Sequence, residues 1–223
     1  MYSKITMKQR VLLKGKDGID LLHRISTIDL RQPKLNEKMM GLILNPQGKI
    51  RSQFFITVLN RDEAEIEFAD NFLVVLEEIT FGEHYEIESL APLNSVAVSE
   101  HARILSLTPK LGNEFKSNAE TNPLEVNLRS AIHDQKGCYP GQEVIEKVIS
   151  LGSPARKLCL VEGNLDSVIC PATLTNSSGL EAGLLTSYDQ GLGLAVIKRP
   201  YLKENEPLFL GTQKLTLKRI SSS

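Results

Sequence analysis

The chain has 223 residues, 41% of them hydrophobic and 24% charged, with 26 basic side chains set against 27 acidic ones. A chain of this size buries roughly 70% of its unfolded surface, which excludes intrinsic disorder, and the balanced charge gives no electrostatic reason to seek nucleic acid or an anionic membrane. No apolar run reaches the roughly 18 to 20 residues of a membrane-spanning helix, so a protein without a membrane segment is expected.

The opening MYSKITMKQR places charges where the apolar core of an export signal would stand, which predicts a mature chain beginning at or near Met1. Cys138, Cys159 and Cys170 form no C-x-x-C pair, and an odd count cannot close a full set of disulfides, so a reducing cytoplasm is expected. His23, His84, His101 and His133 are dispersed without metal-ligand spacing, and no protein-held metal is expected.

In chain order, the first predicted element is a helix over 17–26, with Asp17 as its cap, Asp20 in the first turn and Ile19, Leu22 and Ile25 on one face. GLILNPQGKIRSQFFITVLN reads as a β-hairpin turning at Asn45, Pro46, Gln47 and Gly48. Asp70 is placed to cap a second helix carrying Phe72, Leu73, Val75, Leu76 and Ile79, between the strand candidates EIEF and YEIESL. Residues 108–121 are polar and predict a long surface loop. It ends at Asn122-Pro123-Leu124-Glu125, where an N-cap, a first-turn proline and a capping-box glutamate predict a helix start. After Gly152-Ser153-Pro154 the pattern turns to β-type segments, RKLCLVEG, GLEAGLLTSYD, LGLAVIKR and KLTLKRI, suited to a small antiparallel barrel or sandwich. The expected architecture is α+β, with an N-terminal region over 1–152 and a barrel-like domain over 153–223.

The stretch richest in chemistry is Lys136-Gly137-Cys138-Tyr139-Pro140-Gly141-Gln142-Glu143, followed by a predicted helix over 144–149. Gly137 and Gly141 permit tight turns or close backbone approach, and the proline stiffens the segment between them. A helix starting near Gly141 would leave Cys138 just before its N-terminus, where the dipole and Lys136 favour thiolate. On these residues alone, Cys138 is either a functional nucleophile or a small inert packing residue.

KGCYPGQE resembles the KGCYxGQE signature of the YgfZ family, folate-binding proteins related to glycine-cleavage T-protein. The resemblance extends to GKDGIDLLHRISTIDL with Thr27 and Asp29, LILNPQGKI, NPLEVNLRSAIHDQ, LGSPARKLCLVEG and EAGLLTS. It is weakest between about Asn60 and Asn118, where this chain is shorter than full-length members. It implies a T-protein-like assembly of α+β units and a C-terminal barrel around tetrahydrofolate, and a cytoplasmic role in assembling or repairing iron-sulfur proteins. Reduced folate and iron-sulfur client or assembly proteins are then the expected partners. Cys138 inherits the functional role as a redox thiol, a transient cluster ligand or a nucleophile toward a folate-bound one-carbon unit.

A folate ligand asks for a carboxylate at the pterin and cations at the glutamate tail. Glu125 and Glu143 are the candidate carboxylates, each with a helix-start role as the alternative. Lys136 leads the candidate cations, ahead of Arg129, Lys147, Arg156, Lys49 and Arg51; Gln142 belongs to the same signature, and Tyr139 either stacks on a flat ring or plugs the core. Cys159 and Cys170 read as buried structural residues. Where T-protein enzymes carry an Asp pair after the hairpin turn, this chain has Ser52 and Gln53. That departure speaks against aminomethyl transfer, which needs a carboxylate to handle protons. A folate-dependent aminomethyltransferase-like enzyme, and a shortened scaffold that has lost folate, are the two alternatives.

Overall fold

The computed structural model describes residues 9–92 and 98–221. The expectation about the chain's start falls on residues 1–8, outside these.

The N-terminal part is built on a five-stranded antiparallel sheet of β1 (Gln9–Lys14), β2 (Lys38–Leu44), β3 (Ile50–Val58), β4 (Glu63–Phe68) and β5 (Glu86–Leu90), in the order β2-β3-β4-β1-β5. The alternation along β3 fixes what each face does, because successive side chains point to opposite sides of a strand. Phe54, Ile56 and Val58 enter a core shared with α1 (Lys16–Ile25) and α2 (Phe72–Ile79), through Ile19, Leu22, Phe72, Val75 and Leu76. Gln53 and Phe55 look the other way.

Both helices form where the apolar spacing predicts them, but neither uses the predicted cap. The N-cap of α1 is Gly15 at φ 114°, and Asp17 lies inside the first turn, accepting from the backbone N–H of His84. Asp70 caps nothing. Its carboxylate accepts from Ser52 Oγ at 3.0 Å and from Ser117 Oγ, because both hydroxyls converge on it across the sheet end.

The hairpin turn is as predicted, with Gly48 N–H donating to Asn45 O at 2.9 Å and Asn45 Oδ1 accepting from the amides of Gln47 and Lys49. The stretch expected as a surface loop is only partly at the surface. Glu114 and Phe115 within it are buried: Glu114 bridges a short helix α3 (Glu100–Leu105) and the barrel, and Phe115 packs with Leu42, Ile50 and Leu124. The helix start at Asn122 forms with both halves of its capping box, yet it lasts a single 3-10 turn, Pro123–Glu125. Asn127, at φ 62°, breaks it in the left-handed region and gives its Nδ2–H to Leu107 O.

Beyond α4 (Gln142–Ser150) the chain forms a closed six-stranded barrel. Its strands are β6 (Arg156–Glu162), β7 (Ala172–Thr175), β8 (Glu181–Asp189), β9 (Leu192–Lys198), β10 (Pro207–Leu210) and β11 (Gln213–Ile220), ordered β10-β11-β6-β9-β8-β7. Cys159, Val161, Leu174, Leu185, Ile197 and Leu217 fill it, and closure leaves no exposed strand edge. No helix among the described residues is long and apolar enough to cross a membrane.

Candidate functional site

The signature loop is braced from two sides. Gly141, at φ 81°, is the N-cap of α4 and sits directly on the hairpin turn; a Cβ there would stand 2.5 Å from Asn45 O and 2.8 Å from Gly48 Cα. Asn122 completes the joint by giving its Nδ2–H to Gly48 O at 3.1 Å. Gly137 is different: its surroundings are open and its φ is not positive, so the expected close approach belongs to Gly141 alone.

The second brace is Lys136, 6% exposed, whose Nζ donates to His23 O at the end of α1 and lies 5.9 Å from the centroid of the Tyr139 ring. Burial is the main cause that pushes its amine down to about 8. Burial, and after it this neighbouring cation, push the His23 imidazole below its ordinary range, and its Nδ1 accepts the N–H of Leu30 at 3.2 Å. Asp29 carries a two-pronged bond from Arg31, which holds its carboxyl well below the usual carboxylate range. Asp29 N–H donates to His133 Nδ1 at 3.1 Å, and Thr27 Oγ1 both donates to Ala131 O and accepts from Leu42 N–H. Thr27 and Asp29 therefore tie the segment entering the signature loop to α1 and β2.

Between these braces Cys138 is exposed. Cys159 is buried in the barrel, where burial pushes its thiol up to about 12, and Cys170 is half-buried with its thiol also raised by burial. Tyr139 packs against Ile145 and the core beneath the loop, and burial pushes its phenol up to about 12. The plug reading describes this position. Gln142 gives its Nε2–H to Glu146 at 2.6 Å on α4, and Glu143 is an exposed first-turn residue.

Glu125 lies elsewhere. It completes the capping box, stands 3.9 Å from Lys49 Nζ, and lines a cavity of about 330 Å³ between the 113–126 segment and the barrel, with Arg156 in the same wall. Arg129 pairs with Asp134 and Arg51 with Glu78, while Lys147 is an exposed residue of the last turn of α4. The structure thus brings Lys136, Cys138, Tyr139, Gln142 and Glu143 together at one loop and places Glu125 apart from them.

A separate enclosure of about 470 Å³ lies over the face of the sheet opposite α1 and α2. Met40 and Phe55, paired across β2 and β3, form its floor with Gln53; Leu111, Leu128 and Arg103 close it from the other side. Its volume and mainly apolar walls with a few polar groups are those of a ligand pocket. Of the two hairpin residues that depart from the Asp pair, Gln53 faces this cavity and Ser52 is buried behind it. The sequence flagged the position but not the cavity, whose walls come from positions up to 90 residues apart.

Arg103 is held by a buried network that the sequence gives no sign of. Its guanidinium donates to Glu100 at 2.6 Å, Glu114 at 2.9 Å, Ser187 Oγ at 2.6 Å and Thr108 O at 2.7 Å, and Glu114 also accepts from Thr186 and Ser187. Among the described residues no group of three or more His, Cys, Asp or Glu is arranged to hold a metal.

The fold matches that of glycine cleavage system aminomethyltransferase T from Bartonella henselae, with a TM-score of 0.78 over 96% of this chain and 84% of that one, at 14% sequence identity. In sequence, the chain is 34% identical over 118 residues to a chloroplastic protein of Arabidopsis thaliana described as a candidate transferase. That match takes in 50% of this chain but only 26% of the relative, so the matched stretch spans about a quarter of that protein's length. No protein-family model matches the chain. The architecture is therefore that of the aminomethyltransferase T fold, with its mixed sheet-and-helix part and closed antiparallel barrel.

Proposed function

We propose that the protein binds a reduced folate in the cavity over β2 and β3 and serves as an accessory factor for assembling or repairing iron-sulfur proteins, with Cys138 as its working thiol. The observation that carries the folate half is the cavity itself: a roughly 470 Å³ space on an aminomethyltransferase-type scaffold, walled by Phe55, Met40, Leu111 and Leu128 with the carboxamides of Gln53 and Asn127 among them. These residues fit the ligand. The flat apolar body of a pterin suits such walls, Gln53 offers an amide to its polar edge, and Lys110 at the rim offers a cation to an anionic tail.

The thiol half rests on the signature resemblance and on the placing of Cys138, which is exposed on a braced loop and does not line that cavity. A thiol so placed meets a protein or a cluster arriving from solvent more readily than a one-carbon unit on a ligand inside, which favours the redox and transient-ligand roles over direct attack on folate. Lys136, Tyr139, Gln142 and Glu143 then act by holding the loop. Glu125 does not line the folate cavity, and its part in the proposal is to brace the hairpin joint.

The aminomethyltransferase alternative has the shared fold in its favour and the side chains against it, since neither Ser52 nor Gln53 can exchange a proton as a carboxylate does. Calorimetric titration of reduced protein with 5-formyl-tetrahydrofolate tests the first half. One saturable site is expected in both the native chain and Cys138→Ala; no heat from protein shown to be folded would defeat folate binding. The second half predicts that Cys138→Ser, though folded and folate-binding, fails in a folate-dependent iron-sulfur maturation assay. Turnover of an amine donor with tetrahydrofolate would promote the enzyme instead.

A further inference from the structure

The ring of His23 stands where α1, the segment after it and the signature loop meet. Its Nδ1 accepts the N–H of Leu30 at 3.2 Å, so the neutral ring carries its hydrogen on Nε2 and Nδ1 is a bare acceptor. The buried ammonium of Lys136, which donates to the His23 carbonyl, lies 3.4 Å from that same Nδ1. One ring atom thus serves a backbone amide and touches the cation that braces the loop. Asp29 Oδ1 is 3.6 Å away and already taken by the guanidinium of Arg31. The other charged groups facing the ring are Asp20 on its own helix, and Asp17, Arg24 and Glu83 around the shallow cleft it lines; His133 meets Asp29 through the backbone N–H.

We propose that His23 is a positioning residue for Cys138, holding the signature loop through Lys136 while its ring is neutral and releasing the loop when the ring takes a proton. A proton on Nδ1 turns the acceptor into a donor aimed at the N–H of Leu30, and it sets two cations 3.4 Å apart where little water screens them. Turning toward Asp29 brings no full relief, because Arg31 already holds that carboxylate in two-pronged fashion. Lys136 is the member free to leave: its strong bond is to a single backbone carbonyl, and its amine regains water on leaving. Cys138 follows two residues on and moves with it. Burial first, then Lys136, push the His23 ring below its ordinary range, so the braced state resists the proton that the released state accepts near 6.5. The brace is therefore full above about pH 6.5 and lost as the pH falls below it. Its bearing on function rests on Cys138 being the working thiol.

The test is a nitroxide label on Cys138 of the full chain, with Cys170→Ser to keep the label at one place, read by its mobility from about pH 7.5 to about pH 5.5. The ratio of mobile to immobile label is expected to rise by up to about tenfold per pH unit below about 6.5, with the circular dichroism of the fold unchanged. His23→Asn, whose Oδ1 accepts the Leu30 N–H in place of Nδ1 and takes no proton, should keep the label immobile throughout. Lys136→Met, which lacks the second charge, should show no transition. Mobility constant with pH, a rise that comes only with loss of the fold, or a transition unchanged in either variant would overturn the inference. The thiol reading is judged separately: full activity of Cys138→Ser in the maturation assay would defeat it and leave the His23 switch standing.

Discussion

A methyl group built on Gly141 would stand 2.5 Å from Asn45 O, whereas one on Gly137 meets nothing within 4 Å. Two glycines of one motif therefore carry unequal weight. Gly141→Ala combines a left-handed backbone with a steric clash and is expected to cost about 2 to 4 kcal/mol in urea unfolding. Gly137→Ala should stay within roughly 0.5 kcal/mol of native. The cysteines divide in the same way. Brief treatment of native protein with iodoacetamide, followed by peptide mass analysis, should label Cys138 and spare Cys159, whose thiol is buried and held at about 12. Labelling of Cys159 at a rate equal to Cys138 would contradict the closed barrel.

The joints between elements rest on polar groups with little access to water. Asn122 caps the 3-10 turn through Leu124 N–H at 3.0 Å and ties it to the hairpin through Gly48 O. Asn122→Ala is thus expected to cost about 2 to 3 kcal/mol, beyond an ordinary cap, because a buried carbonyl loses its donor as well. Lys136 joins the signature loop to α1, and its folded pKa of about 8 lies below the unfolded value near 10.4. The unfolded chain therefore binds more protons between these values, and this group's contribution to stability rises with pH across the window. Above about pH 10 Tyr139, raised to about 12, opposes it. Denaturation curves from pH 8 to 10 should show the rise, and Lys136→Met should flatten it. His23, with its pKa lowered by burial, gives a contribution that is full above about 6.5 and lost as the pH falls below it.

At the scale of the molecule, α3 and the 108–114 segment are fastened to the barrel by Arg103 and Glu114. Glu114 is 5% exposed and its two oxygens accept from Arg103, Thr186, Ser187 and the backbone N–H of Lys110. Removing it leaves a buried guanidinium with Glu100 as its remaining carboxylate, at a cost of about 3 kcal/mol. Calorimetry of Glu114→Ala should show a lowered transition. Since Arg103 also walls the 470 Å³ cavity, the same variant should weaken folate binding, which a purely local packing role would not.

The sequence by itself determined the elements whose signal is local. The apolar spacing of Ile19, Leu22 and Ile25 suffices for α1, Asn45 to Gly48 for the hairpin turn, and β-type segments set between Gly, Asn and Pro turns for four of the six barrel strands. The four-residue strands β7 and β10 are too short to show a period, and the caps at Asp17 and Asp70 were misread because a backbone amide and two distant hydroxyls claimed those carboxylates. KGCYPGQE marked the loop that carries Cys138, but not that Lys136 turns inward or that Glu125 sits against a different cavity. Only the tertiary structure decided where a ligand fits. Gln53 and Phe55 gain their shared face from β3, but Arg103, Leu111 and Leu128 reach it through long-range packing, and no local pattern records which distant segments will meet across a sheet.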